Sequence, residues 1–234
     1  MSIKDLNTKK VILLSLVGNS IEVTLQHPLN VLKNHKQSTS KHCKFQYNFT
    51  NLYRGYFFNF YSLNIVSLFQ YYGYNYLYKK TKNDMMSSLG TGLLSGLIAS
   101  PAEYYIINKK HTETLLECVQ RKKITKIYKY GFFSCLMREG IYTASLFTIT
   151  PMLEKKLKEK EIKFGCIISP ILSGSIASFF SHPFDTRKTI QQKNNNNKLK
   201  LKCDYKGFGY RTSRMISTFF ILNEVNKFFM KNIF

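Results

Sequence analysis

The stretch Ser181–Lys193, SHPFDTRKTIQQK, sets a proline, an acid, a base and a glutamine at fixed offsets: Pro183, Asp185, Lys188 and Gln192. A proline inside a helix removes one backbone hydrogen bond and clashes with the preceding turn, so it kinks the helix. An acid and a base three residues apart share one helix face and can reach charged partners on a neighbouring helix. The chemistry on offer is ion pairing that can form and break at a helix end, not bond making. The frame recurs twice with changes: Pro28, Asn30, Lys33 and Gln37, then Pro101, Glu103, Ile106 and Lys110. No nucleophile–base set, phosphate-binding loop or metal-ligand spacing is visible, so an enzyme is not expected. The five cysteines (43, 118, 135, 166, 203) form no CxxC, and His35, His42 and Cys43 cannot gather on one face. They read as reduced structural thiols, and no metal or cofactor is expected.

Five or six segments of about 20 residues must position these groups. They are 11–33, 57–79, 85–108, 131–153, 164–188 and 211–230. Each is long enough to span a bilayer, yet none is cleanly apolar. The first carries Glu22 and Gln26, the fourth Arg138 and Glu139, the sixth Arg214. The mean hydropathy of −0.21 leaves a soluble helical protein in play. A bundle around a watery cavity gives the same pattern, because each helix then needs a polar stripe. Among 234 residues, 35 Lys and Arg face 13 Asp and Glu, a formal charge of +22 that favours anionic partners. Met1–Lys10 is polar and no cleavable signal peptide is expected. The wealth of Lys, Asn, Ile, Tyr and Phe, with four Asn at 194–197, fits an AT-rich genome, as of a parasite or a large DNA virus.

Repeats decide more than hydropathy does. Gly55, Gly131 and Gly207 lie 76 residues apart, and then 76 again. Each follows a tyrosine and a base: Tyr53-Arg54, Tyr128-Lys129 and Tyr205-Lys206. The small pairs Gly92/Gly96 and Gly174/Ser178 stand nine and five residues before Pro101 and Pro183, a spacing that lets helices approach closely. The chain reads as three copies of one unit, 1–83, 84–162 and 163–234, within one domain. Each unit has a helix with a proline motif, a basic loop, a Tyr/basic/Gly turn and a second helix. The basic loops are expected on the compartment side that retains positive charge.

These residues resemble the mitochondrial carrier family, which repeats Pro, any residue, acid, two residues and base, often with Gln four further on, and opens its second half-repeat with an aromatic, a base and Gly. The resemblance covers roughly residues 10–230. It implies an all-α membrane protein of six transmembrane helices in three pseudosymmetric two-helix repeats, multi-pass in the mitochondrial inner membrane (of the host cell if the protein is viral). It also implies a monomer, with both termini toward the intermembrane space and the basic loops toward the matrix.

The resemblance further implies roles. Pro28, Pro101 and Pro183 would kink the odd helices. Asn30, Lys33, Gln37, Glu103, Asp185, Lys188 and Gln192 would form the matrix-side gate. In the family's pairing Lys33 meets Glu103, Lys188 meets Asn30, and Asp185 meets Ile106 and loses its partner unless Arg187 serves. A weakened gate is expected. At the opposite end the family's register falls on Asn75, Tyr78, Pro151, Glu154, Lys227 and Met230, and no acid–base pair is expected there unless a local shift recruits Glu224. The turns Arg54-Gly55, Lys129–Gly131 and Lys206-Gly207 would bind cardiolipin, since a helix start offers free N–H groups to a phosphate.

Solute contacts in the family fall seven and eight residues past each glycine. Here these are Ser62 and Leu63, Arg138 and Glu139, Arg214 and Met215. An arginine at mid-membrane costs on the order of 3 kcal/mol, so Arg138 and Arg214 should face a cavity and grip phosphate or carboxylate. Glu139 would take an amino group or a sulfonium, or else pair with a neighbouring base. Two arginines and a basic chain favour an anionic small-molecule solute, a nucleotide or deoxynucleotide moved by exchange. The Arg138-Glu139 pair favours the alternative, an S-adenosylmethionine or amino-acid carrier. A basic nucleic-acid-binding helical protein is a further alternative, but the bases sit in loops rather than on one helix face, so no nucleic acid is expected. A noncatalytic relative with decayed gates is a fourth reading.

Overall fold

The computed structural model describes residues 7–38, 48–53, 55–108, 128, 130–194, 205 and 207–232. Helix α1 covers Thr8–Ser38, the single turn α2 Phe49–Leu52, α3 Tyr56–Thr81 and α4 Asp84–Asn108. Helix α5 (Phe132–Ala144) runs through a π turn (Ser145–Ile149) into α6 (Thr150–Glu159). Helices α7 (Gly165–Asn194) and α8 (Phe208–Asn232) complete the described chain. The six apolar segments expected from sequence fall within these six rods to within one residue. Pro28, Pro101 and Pro183 all lie inside helices, as does Pro170. The π turn has a local cause. Pro151 has no N–H to continue the ladder, and both the N–H and the Oγ1 of Thr150 donate to the carbonyl of Ser145.

The three repeat glycines share one conformation. Gly55, Gly131 and Gly207 have φ of 75°, 72° and 75°, in the left-handed region that a side chain disfavours. Each precedes an even helix of its pair, and its carbonyl accepts from the N–H four residues on, at Asn59, Cys135 and Arg211. Two of these turns are braced alike. His27, just before Pro28, packs on Tyr53 and edge-on to Tyr56; His182, just before Pro183, stacks on Tyr205 and lies edge-on to Phe208. The middle unit has Ser100 in place of histidine, and Tyr128 meets Phe132 directly.

Consecutive rods pack side by side, and α8 returns against α1, which closes a ring; α1 and α4 also touch α7. Only Lys82 and Asn83 separate α3 from α4, so those two run antiparallel. Small residues set the spacing. A Cβ on Gly92 would overlap Thr143 and lie 2.6 Å from the Glu139 carbonyl, and one on Gly96 would lie 2.9 Å from Leu136 Cα. Gly174 approaches Ile216 in the same way, at 3.0 Å.

Apolar side chains are concentrated outside the ring. On α3, Phe57, Tyr61, Ile65, Phe69, Tyr72 and Tyr76 are exposed, while Asn59, Asn64, Ser67, Gln70 and Asn75 are buried. A modest apolar core lies at one end, where Tyr74 stacks on Phe147 at 4.7 Å with Val11, Leu14, Phe219 and Leu222 around it.

The expected six transmembrane helices in a carrier fold are corrected here. Among the described residues one helix is long and apolar enough to cross a membrane, Gly165–Gln192, and half of its apolar window is buried in the bundle. The architecture is all-helical, but the remaining rods fall short of that standard. The reason is the inward polar face that each rod carries: counting apolar length alone overstates a helix whose other side is Asn, Ser, Thr and Gln.

Candidate functional site

A cavity of about 100 Å3 lies on the axis of the ring. That is room for several waters, since one needs about 10–15 Å3. Every rod contributes to its wall. All six residues expected to touch solute line it: Ser62 and Leu63 from α3, Arg138 and Glu139 from α5, Arg214 and Met215 from α8. They converge because each lies two turns past a left-handed glycine, at the same height on its helix.

Charge is unevenly distributed in this cavity. At one end three acids and three bases form a closed network. Glu103 pairs with Arg138 at 2.7 Å and with Lys188. Arg138 also pairs with Glu139 and, at 3.2 Å, with Asp185. Asp185 is 0 % exposed and binds Arg211 at 2.7 Å, with Lys188 at 3.7 Å. Arg211 donates to Ser181 Oγ, and Gln70 donates to both Glu139 and Ser95. Charges taken out of water this way must be matched, because removing one partner strands the other.

Several expected pairings differ. Asp185 does not lose its partner, nor does Arg187 serve it: Arg211 and Arg138 hold it from the even helices α8 and α5. Lys188 meets Glu103 and Asp185, not Asn30. Asn30 instead accepts from Arg214 Nη1 at 3.2 Å. The cause is reach, since the long arginines arrive from helices to which the proline frame gives no clue. Among the described residues, Glu103, Asp185 and Lys188 join Arg138, Glu139 and Arg211 in a dense network rather than pairing in the expected register. Lys33 and Gln37 lie outside the described residues as far as their side chains go, and so does Ile106; Lys110 lies outside altogether. Gln192 is fully buried with neither amide atom hydrogen-bonded, while its backbone carbonyl accepts from Asn108.

At the turns, Arg54, Lys129 and Lys206 lie outside the described residues, so the cardiolipin expectation rests on glycines alone. Gly55 has open space around it, whereas Gly131 presses on α7, where an added Cβ would lie 3.0 Å from the Lys188 carbonyl. The far end of the ring also corrects an expectation. Glu154 and Lys227 do form an acid–base pair at 3.4 Å, and Lys227 also meets Glu224 at 3.3 Å and Glu154 meets Lys158 at 3.0 Å. Counted from their glycines, base and acid have exchanged places relative to the expected order.

The other end of the cavity is sparse. Glu22 is 4 % exposed and accepts from Thr218 Oγ1 at 2.6 Å. Tyr71 and Tyr142 line the same cavity. Neither Glu22 nor Arg214 makes an ion pair among the described residues. Sequence reasoning noticed Glu22 only as a polar break in an apolar run, and it passed over Asn19, Gln70, Tyr71, Tyr142 and Arg211. A signal existed for Arg211, which stands three and four residues before Arg214 and Met215 and so on their face. Compared with known proteins, the chain matches no family model and no curated protein sequence.

Proposed function

We propose that this protein is a solute transporter of the mitochondrial inner membrane whose central cavity holds a charged metabolite. The observation that carries the reading is the convergence of three repeat-equivalent pairs, Ser62/Leu63, Arg138/Glu139 and Arg214/Met215, on one cavity. Polar side chains inside and aromatic or aliphatic side chains outside, as on α3, support a helical bundle with a wet interior. The charge balance bears on the choice of solute. Arg138, Lys188 and Arg211 are each engaged by acids, which leaves Arg214 as the cavity cation without an acidic partner among the described residues. A polyphosphate asks for more unmatched positive charge than that. The arrangement therefore favours an amino acid or S-adenosylmethionine over a nucleotide.

The test is uptake into cardiolipin-containing liposomes that hold the purified protein, preloaded separately with nucleotides, amino acids and S-adenosylmethionine. Saturable uptake of an amino acid or S-adenosylmethionine is expected. Nucleotide exchange alone would overturn the solute assignment, and absence of flux with every solute would overturn transport. Extraction separates the nucleic-acid-binding alternative: a transporter needs detergent, whereas release by salt alone would sink this reading.

A further inference from the structure

We infer that the cavity holds a cation subsite at its sparse end, where Glu22, in a wall shared with Tyr71 and Tyr142, receives an ammonium or sulfonium group while Arg214 and Asn30, at the height of Arg138, receive the same solute's carboxylate. The inference rests on the transport-cavity reading and deepens it, since it names the charges the solute must carry and the residue that selects them. It also moves that role away from Glu139, whose oxygens are taken by Arg138 and Gln70.

Four observations carry it. First, Glu22 is a buried carboxylate with one hydrogen bond, from Thr218, where a carboxylate can accept about four. The other three acids of the cavity region, Glu103, Glu139 and Asp185, all have a cation in contact. A buried acid without a cation is costly unless something arrives to match it. Second, Tyr71 and Tyr142 line the same cavity as Glu22. Aromatic side chains and a carboxylate in one cavity suit organic cations. Third, Asn19 lies one turn before Glu22, lines the same wall, and its Nδ2 has no partner. Fourth, Arg214 spends Nη1 on Asn30 while its buried Nε is unpartnered, so its guanidinium retains donors for a carboxylate.

The spacing narrows the solute. Glu22 faces Thr218, and Asn30 faces Arg214. Arg214 precedes Thr218 by one turn, about 6 Å of rise, and Asn30 follows Glu22 by about two turns, about 12 Å. The two subsites therefore lie at different heights along the cavity, each with its own backbone level. A molecule whose cationic centre and carboxylate are several bonds apart fits: a basic amino acid, or a sulfonium bearing an amino-acid tail.

Matched probes test this. The purified full-length protein in cardiolipin-containing vesicles is titrated with lysine against norleucine, and with S-adenosylmethionine against S-adenosylhomocysteine. Each pair differs in its cationic centre. The charged member of at least one pair should bind about tenfold or more tightly than its neutral counterpart, the scale of one hydrogen bond to a charged group. Glu22→Gln keeps the volume and the acceptor for Thr218, and it should erase that preference. Tyr142→Leu should reduce it, and Arg214→Gln should weaken both members of the pair alike and leave their ratio intact. Equal binding of charged and neutral members, a preference that survives Glu22→Gln, or no binding of any of the four to the folded protein would each overturn the subsite. Discrimination in binding without flux into liposomes would leave the subsite standing and refute transport. Flux of a nucleotide indifferent to Glu22→Gln would do the reverse.

Discussion

The two ends of the cavity handle buried charge in opposite ways. At the locked end, Glu103, Glu139 and Asp185 are matched one for one by Arg138, Lys188 and Arg211, and the groups are drawn from α4, α5, α7 and α8. At the sparse end, Glu22 has one hydroxyl bonded to it and shares the cavity wall with Tyr71 and Tyr142. The locked end ties four helices to one another and leaves no charge over. The sparse end ties little together and keeps an acid in reserve. Structure is invested in the first and recognition in the second, so substitutions at the two ends should separate into different readouts.

Asp185→Asn should have the largest effect. It removes the fully buried charge that Arg211 and Arg138 share; Arg138 keeps Glu103 and Glu139, but Arg211 is left without an acidic partner among the described residues. Breaking a buried pair costs about 3–5 kcal/mol, which should lower the thermal unfolding midpoint by many degrees. Glu22→Gln sharpens the contrast. It relieves a buried acid with no cation partner among the described residues, so its stability should shift by less than about 1 kcal/mol in either direction while solute preference collapses. Equal destabilisation by the two substitutions would erase the distinction between the ends.

A second contrast lies between two turns of the same backbone. Gly55 and Gly131 have nearly equal φ, but the first faces open space and the second faces α7. Gly55→Ala should cost about 1–2 kcal/mol, the price of a side chain in the left-handed region. Gly131→Ala should cost more, because its Cβ must also displace the backbone at Lys188, which carries the locked network. Denaturant unfolding of the two variants measures the difference. Equal costs would show that the contact with α7 yields freely.

What was legible beforehand follows from periodicity. A 76-residue repeat and the helical period together put Ser62, Arg138 and Arg214 at one height, and the three glycines proved alike in φ because one local reason, the turn before a helix, operates at each. Partners across the bundle were not legible. Asp185 lies 47 residues from Arg138 and is reached by the free end of a long side chain, which no spacing rule constrains. The π turn was missed although Pro151 stood in the segment. The count of membrane-crossing helices was overstated because length of apolar sequence was weighed without the inward face of Asn, Gln, Ser and Thr. Glu22 was visible as a break in an apolar run, but its lack of a cation can only be learned once its neighbours are known.

The smallest effect should come from the pair that looks most like a second lock. Lys227 and Glu154 join α8 to α6 at the end of the ring away from the dense network, but the Lys227 side chain is about a third exposed and shares itself with Glu224. Water screens such a pair, and ion pairs of this kind contribute about 0–1 kcal/mol. Lys227→Met should therefore change stability by no more than that, and the difference should vanish at 1 M salt, where the screening length falls to about 3 Å. Lys188→Met supplies the comparison. Its ammonium is 3 % exposed as a side chain between Glu103 and Asp185, so its loss should be severe and indifferent to salt. A salt-sensitive Lys188 would mean that water enters the locked end freely. A salt-resistant, costly Lys227 would mean that the far end is closed by a pair as dry as the first, and the two ends of the ring would then be equals rather than opposites.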